Sequence, residues 1–144
     1  MKVSSKGHYG LLALAELVEN YKLRRAVQVK EIAKNQNIPS EYLDQIMVLL
    51  KRGKLIHSSK RPTNDYILTR SPENITIREV LHVLEEPLVG IDLKPDTNRR
   101  TLSPVTHRLI ETWARGVKAM EQILDETTLA DLCKPEAQAL MYYI

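Results

Sequence analysis

Apolar residues recur at helical spacing in several separate stretches of the chain. In "YGLLALAELVEN", Leu11, Leu14, Ala15 and Val18 fall at i, i+3, i+4 and i+7, which predicts a first helix with Ser4 or Ser5 as its N-cap. A basic connector, "YKLRR", leads to a short helix expected near Lys30 to Gln36, with Ile32 and Ala33 inward. Asn37 then stands where the chain must turn, and Asn is among the few residues besides Gly that tolerate a positive φ. Pro39 fits the first turn of the next helix, where its missing N–H is harmless. In that helix Leu43, Ile46, Met47 and Leu50 form the apolar stripe. Glu41, Asp44, Gln45, Val48 and Arg52 are left on the opposite face, and Gly53 closes the helix.

The period then changes. "KLIHSS" and "DYILTR" read as short strands, with Leu55, Tyr66, Ile67 and Leu68 supplying apolar surface and "KRPTN" supplying the turn. Helix, turn, helix and hairpin is the order of a winged helix-turn-helix domain. "TIREVLHVLEE" adds a helix with Ile77, Val80, Leu81 and Leu84 on one face, and Pro87 to Thr101 reads as a loop. Beyond it, Val105, Leu109, Trp113, Val117, Met120 and Leu124 make a stripe at steps of three and four residues. A stripe of that length outside an already complete domain predicts a helix pair between subunits, against the competing expectation that it folds back on its own domain. The apolar end, Leu140, Met141, Tyr142, Tyr143 and Ile144, is expected to dock onto the partner. The expected fold is mainly α with a small two- or three-stranded β wing. Its parts are a winged helix-turn-helix domain over 1–84, a linker over 85–102, and a dimerisation helix with C-terminal segment over 103–144.

The second helix of a helix-turn-helix is narrow enough to enter the major groove of DNA. Its outer face here suits base reading. Gln45 can pair in bidentate fashion with adenine, Glu41 or Asp44 can accept from cytosine, and Lys51 and Arg52 lie close enough to the helix end to meet phosphate. The hairpin tip carries Lys60 and Arg61, which suit the negative potential of a minor groove. A plain αα-hairpin is the competing reading of the two helices alone.

Composition supports a polyanionic partner. The net charge is only +3, but residues 1–82 hold 14 Lys and Arg against 8 Asp and Glu, whereas residues 83–144 hold 7 against 10. The halves therefore carry +6 and −3. The 144 residues suit one domain or a small domain plus an arm. No apolar stretch approaches a membrane span, and the start "MKVSSKGHYG" lacks a signal-peptide core, so the expectation is a cytoplasmic protein without a membrane partner. Cys133 is the only cysteine, which excludes an intrachain disulfide and any site built from several thiolates of one chain. No P-loop, dinucleotide glycine pattern, nucleophile elbow or His-Glu-x-x-His pattern occurs, so an enzyme is not expected.

The segments "KVSSKGHYGLLALAELV", "VKEIAKNQNIPSEYLDQIM" and "DYILTRSPENITIREVLHVLE" together resemble the Rrf2 family of bacterial winged helix-turn-helix regulators across almost the whole chain. The resemblance implies a homodimer on a pseudo-palindromic double-stranded DNA operator, one recognition helix per half-site, acting more often as repressor than activator. Carried over by position, Glu41, Tyr42 and Gln45 match the base- and backbone-contacting face, and Asp44 matches an acidic residue that influences site selectivity. Lys51 matches a basic helix-end position, and Lys60, Arg61 and Pro62 the wing. Lys6, in the Ser-Lys-Gly-x-Tyr start, joins the DNA-binding set.

The departures are also informative. The family's glycine-rich wing becomes "KRPTNDY", a stiffer tip, and its Lys-x-Gly-Leu helix end becomes "KRGKL". Cluster-binding members carry three cysteines where "PLVGIDLKPDTNRRTLSPVTH" has none, so no iron-sulfur cofactor is expected. His107 falls near the third cysteine position and His8 replaces a residue that in some members supplies a ligand from the partner. They are the candidates for a metal site across the dimer with Asp92 or Asp96, a reading ranked below polar surface. Cys133 is expected to pack as a small apolar residue rather than to sense thiol chemistry. The alternatives to a DNA regulator are a winged-helix module for protein contact or RNA binding and, lower, a metal sensor using His8 and His107. No effector is assigned.

Overall fold

The computed structural model of the chain describes residues 3–59, 65–85 and 103–135. Helix α1 (Ser5–Tyr21) begins at Ser4, whose side chain accepts from the Gly7 N–H. Its buried face is Gly7, Gly10, Ala13, Leu14, Glu16 and Leu17. This corrects the stripe expected from spacing: of Leu11, Leu14, Ala15 and Val18, only Leu14 is buried and the others are half-buried. Apolar residues encircle most of α1, so periodicity does not select a face. Close approach does: Glu85 and Leu84 occupy the space that a Cβ on Gly7 and on Gly10 would need. The Glu85 carboxylate also accepts from the Ser4 N–H (2.9 Å) and hydroxyl (2.6 Å), placing an anion at the N-terminus of α1.

Strand β1 (Val27–Gln28) runs directly into α2 (Val29–Gln36). At its end Asn37 adopts φ 54, ψ 48, and both its N–H and that of Ile38 reach the Ala33 carbonyl. That is the turn expected at Asn37. Pro39 lies one position outside the first turn of α3 (Ser40–Arg52): at φ −56, ψ 126 it is the N-cap, and its carbonyl accepts from Leu43 N–H at 3.0 Å. Buried Ile38 anchors the turn just before it. Leu43, Ile46, Met47 and Leu50 form the buried face of α3, as their spacing predicts. Each such side chain contributes about 1.5–3 kcal/mol by leaving water.

The end of α3 divides two tasks between neighbours. Lys54 N–H bonds to Lys51 O (3.0 Å) and Leu55 N–H to Leu50 O (3.1 Å), a paired cap whose left-handed residue is Lys54 at φ 59. Gly53 is the C-cap with an ordinary φ of −73. Its lack of a side chain serves packing instead, because a Cβ there would lie 2.5 Å from Val83 Cγ2.

Strands β2 (Ile56–Ser58) and β3 (Asp65–Leu68) pair antiparallel, with Ile56 opposite Leu68 and Ser58 opposite Tyr66. β1 adds to the other edge of β3 through Val27 and Tyr66, giving the order β1-β3-β2. Burial alternates along β3, with Tyr66 and Leu68 inward. After a 3₁₀ turn at Pro72–Asn74, α4 (Ile77–Leu84) starts from a Thr76/Glu79 capping box and buries Ile77, Val80, Leu81 and Leu84. Burial pushes the Glu79 carboxyl up, but the Thr76 N–H and the Arg70 guanidinium outweigh it and hold its pKa below the ordinary value.

Helix α5 (Pro104–Glu126) starts at Ser103 and runs 23 residues, none of them buried by the described residues. Its C-terminal end meets the body through Leu124 and an Arg78–Glu121 ion pair at 3.5 Å. α6 (Leu129–Leu132) then returns the chain to the core. Leu129 is fully buried, its N–H bonds to Ile75 O at 2.9 Å, and Ile77 N–H bonds to Thr127 O at 2.9 Å. Along the α5 stripe Val105, Leu109 and Trp113 remain 75%, 50% and 44% exposed, whereas Val117, Met120 and Leu124 are half-buried. Among the described residues no helix is long and apolar enough to cross a membrane. The loop read at Pro87 to Thr101 and the tail Leu140 to Ile144 lie outside the described residues.

Candidate nucleic-acid interface

With its inner face filled, α3 presents Glu41, Asp44, Gln45, Val48, Lys51 and Arg52 to solvent. Helices α1, α2 and α4 and the sheet all pack against it or its ends, so this face is held on a rigid element. Tyr42 is half-buried, with its ring edge-on to Tyr9 of α1 at 5.7 Å. It therefore locks the first turn of α3 to α1. Lys6 is half-buried on the first turn of α1, one helical turn before Gly10.

The basic end of α3 is tied to the hairpin. Lys51 Nζ donates to Ser58 Oγ at 3.3 Å, and Lys54 is exposed just beyond. No ion pair neutralises Lys51, Arg52 or Lys54 among the described residues. On β3, opposite Ser58, burial pushes the Tyr66 hydroxyl up, and the Asp44 carboxylate adds to the shift. Asp65 Oδ1 is buried without a hydrogen-bond partner among the described residues. The tip residues Lys60, Arg61 and Pro62, with Thr63 and Asn64, lie outside the described residues.

Two supports of this face were not read from the sequence. Glu16 is only 8% exposed, and its carboxylate accepts from Gln36 Nε2 at 2.7 Å and Asn35 Nδ2 at 3.5 Å, pinning the last turn of α2 to α1. The signal was a lone carboxylate between Ala13 and Leu17 on the inner face of α1. The second is the left-handed Lys54, which has no sequence signal because Gly53 beside it is the residue expected to take that conformation.

The remaining candidates are dispersed. His8 is exposed on α1, stacked at 6.1 Å on Tyr9, and His107 is exposed near the start of α5. Asp92 and Asp96 lie outside the described residues, and among the described residues no group of three or more His, Cys, Asp or Glu could hold a metal. Cys133 is half-buried at the C-cap of α6, where burial, followed by the charge of Glu19, pushes its thiol up. A raised thiol pKa opposes the thiolate that ligation and redox chemistry require.

The family model for Rrf2, described as an iron-dependent transcriptional regulator, matches residues 3–135. The HTH-type transcriptional regulator CymR of Bacillus subtilis is 32% identical over 147 residues, covering 100% of both chains. The solved structure of CymR, titled the global cysteine regulator of B. subtilis, is similar at TM-score 0.76 and 31% identity, over 92% of this chain and 96% of that one. The structure of IscR from T. potens is similar at TM-score 0.75 and 31% identity, over 99% and 97%. The sequence holds one cysteine, at the C-cap of α6, whereas a cluster held by the thiolates of one chain needs several.

Proposed function

Since the chain belongs to the Rrf2 family of winged-helix transcriptional regulators, we propose that it acts as a homodimer on a two-half-site DNA operator, as a repressor. It is a DNA-binding regulator and not an enzyme. The observation that carries the finer reading is that two faces are left over when the core closes: the polar outer face of α3 and the apolar stripe of α5. The first suits a major groove, the second a copy of itself. Val105, Leu109, Trp113, Val117, Met120 and Leu124 are assigned to the dimer contact. Lys6, Glu41, Tyr42, Asp44, Gln45, Lys51 and Arg52 are assigned to DNA, with Lys60, Arg61 and Pro62 of the wing reaching the adjacent minor groove.

In this mechanism cations supply affinity and the α3 face supplies choice. Each Lys or Arg that neutralises a phosphate releases condensed counterions, so binding falls steeply with salt. Repression follows from occupancy of the operator by the dimer. The root of α5 is the natural route for a signal, because Leu129, the Ile77–Thr127 bond and the Arg78–Glu121 pair join the dimer helix to the domain that holds α3. Selection of bound sequences from random duplexes tests the proposal: an inverted repeat bound with a steep salt dependence supports it. Preference for RNA, or binding indifferent to sequence, contradicts it.

A further inference from the structure

Val48 is the large apolar side chain that the helix-turn-helix leaves outside. Among the described residues, the exposed large hydrophobics lie at the chain start, in the connector after α1, on α5, on α6 and at Val48. Helices α2 and α3 contribute only this one, 46% exposed on the same side of α3 as the polar candidates. It follows Asp44 and Gln45 by four and three residues, the spacings that share one helix face. The inner face is already complete with Leu43, Ile46, Met47 and Leu50, so Val48 has no core to join. A β-branched residue at an exposed helix position also works against helix propensity, where Lys, Glu or Ala would favour the helix and solubility.

Resting on the assignment of α3 to the major groove, we propose that Val48 is a specificity-determining residue that reads the C5-methyl group of a thymine. The major-groove edges of the four bases offer hydrogen-bond donors, acceptors and one apolar group, the thymine methyl. A valine can neither donate nor accept. Placed against cytosine N4 it strands a donor, whereas against the thymine methyl both partners leave water. Seven residues at the α-helical rise carry the face about 10 Å from Glu41 to Val48. That distance is about three base-pair steps, so Val48 extends the reading beyond the base addressed by Gln45.

The test uses the duplex recovered by selection from a random pool, the full chain, and the variants Val48→Ala and Val48→Thr. Each thymine is replaced singly by deoxyuridine, which removes the methyl and nothing else. The wild type should lose about three- to tenfold in affinity at one thymine per half-site, next to the base whose preference relaxes in Gln45→Ala. Val48→Ala should bind the thymine and uracil duplexes equally, and Val48→Thr, which keeps one methyl, should fall between. Circular dichroism of each variant checks that α3 remains folded. A uracil effect of the same size in the wild type and in Val48→Ala at every position overturns the assignment while leaving the regulator reading intact. Failure of the wild type to prefer any duplex overturns both.

Discussion

Helices α3 and α5 carry similar apolar stripes and meet opposite fates. In α3, four stripe residues are removed from water by α1, α2, α4 and the sheet of the same chain. In α5 the stripe is longer, yet no residue of it is buried by the described residues, and Trp113 remains 44% exposed. Periodicity announces that a face will be covered but not by what. The difference lies in what is left over. Once α3 is covered inside, its outside is free for chemistry, whereas α5 is anchored at its root and offers an apolar side that the described residues leave unburied.

The largest effect should come from charging the α5 stripe. Leu109→Glu with Trp113→Glu should convert a dimer to a folded monomer and lower operator affinity by about 10²- to 10⁴-fold, as the second half-site no longer adds to the first. Sedimentation velocity and circular dichroism read the two parts of that outcome. Truncating the same residue type in the two stripes should then separate them. Leu50→Ala should lower unfolding free energy by about 2–5 kcal/mol at any protein concentration, while the loss in Leu109→Ala should depend on concentration, both followed by urea denaturation.

Smaller effects belong to the outer face and the helix end. Gln45→Ala should relax preference at one base position by about 1–3 kcal/mol, whereas Arg61→Ala should weaken all duplexes alike and reduce the salt slope by about 1. Competition binding at several salt concentrations distinguishes the two. Lys54→Gly removes a left-handed non-glycine residue from the cap of α3 and should raise stability by about 1 kcal/mol in thermal unfolding. An unchanged or lower stability would mean that the Lys54 side chain contributes more to the native state than its backbone conformation takes away.

Much of the helix-turn-helix was legible because its signals agree with one another. The stripe of α3, Asn37 in the turn and the strand read in "DYILTR" each point to the structure found, although burial then alternates so that Ile67 of the apolar run is not inward. The face of α1 was not legible, since apolar residues surround it and the choice is made by Leu84 and Glu85 arriving from distant sequence. β1 was missed because two residues are too short for alternation to register, and its pairing depends on Tyr66 far along the chain. The candidate site emerged largely by subtraction, as whatever α3 does not bury. Its supports, Glu16 on Gln36 and Tyr42 on Tyr9, are contacts between elements that no local pattern announces.

The central claim is that α5 joins two copies so that two α3 faces address one duplex. It is tested most directly by titrating the selected duplex, and the same duplex with one half-site scrambled, under sedimentation velocity. The account expects two protomers per intact duplex, half-site centres about 34 Å or a multiple apart, and a loss of about 100-fold or more on scrambling. One protomer per duplex, bound equally well with the second half-site scrambled, would contradict it.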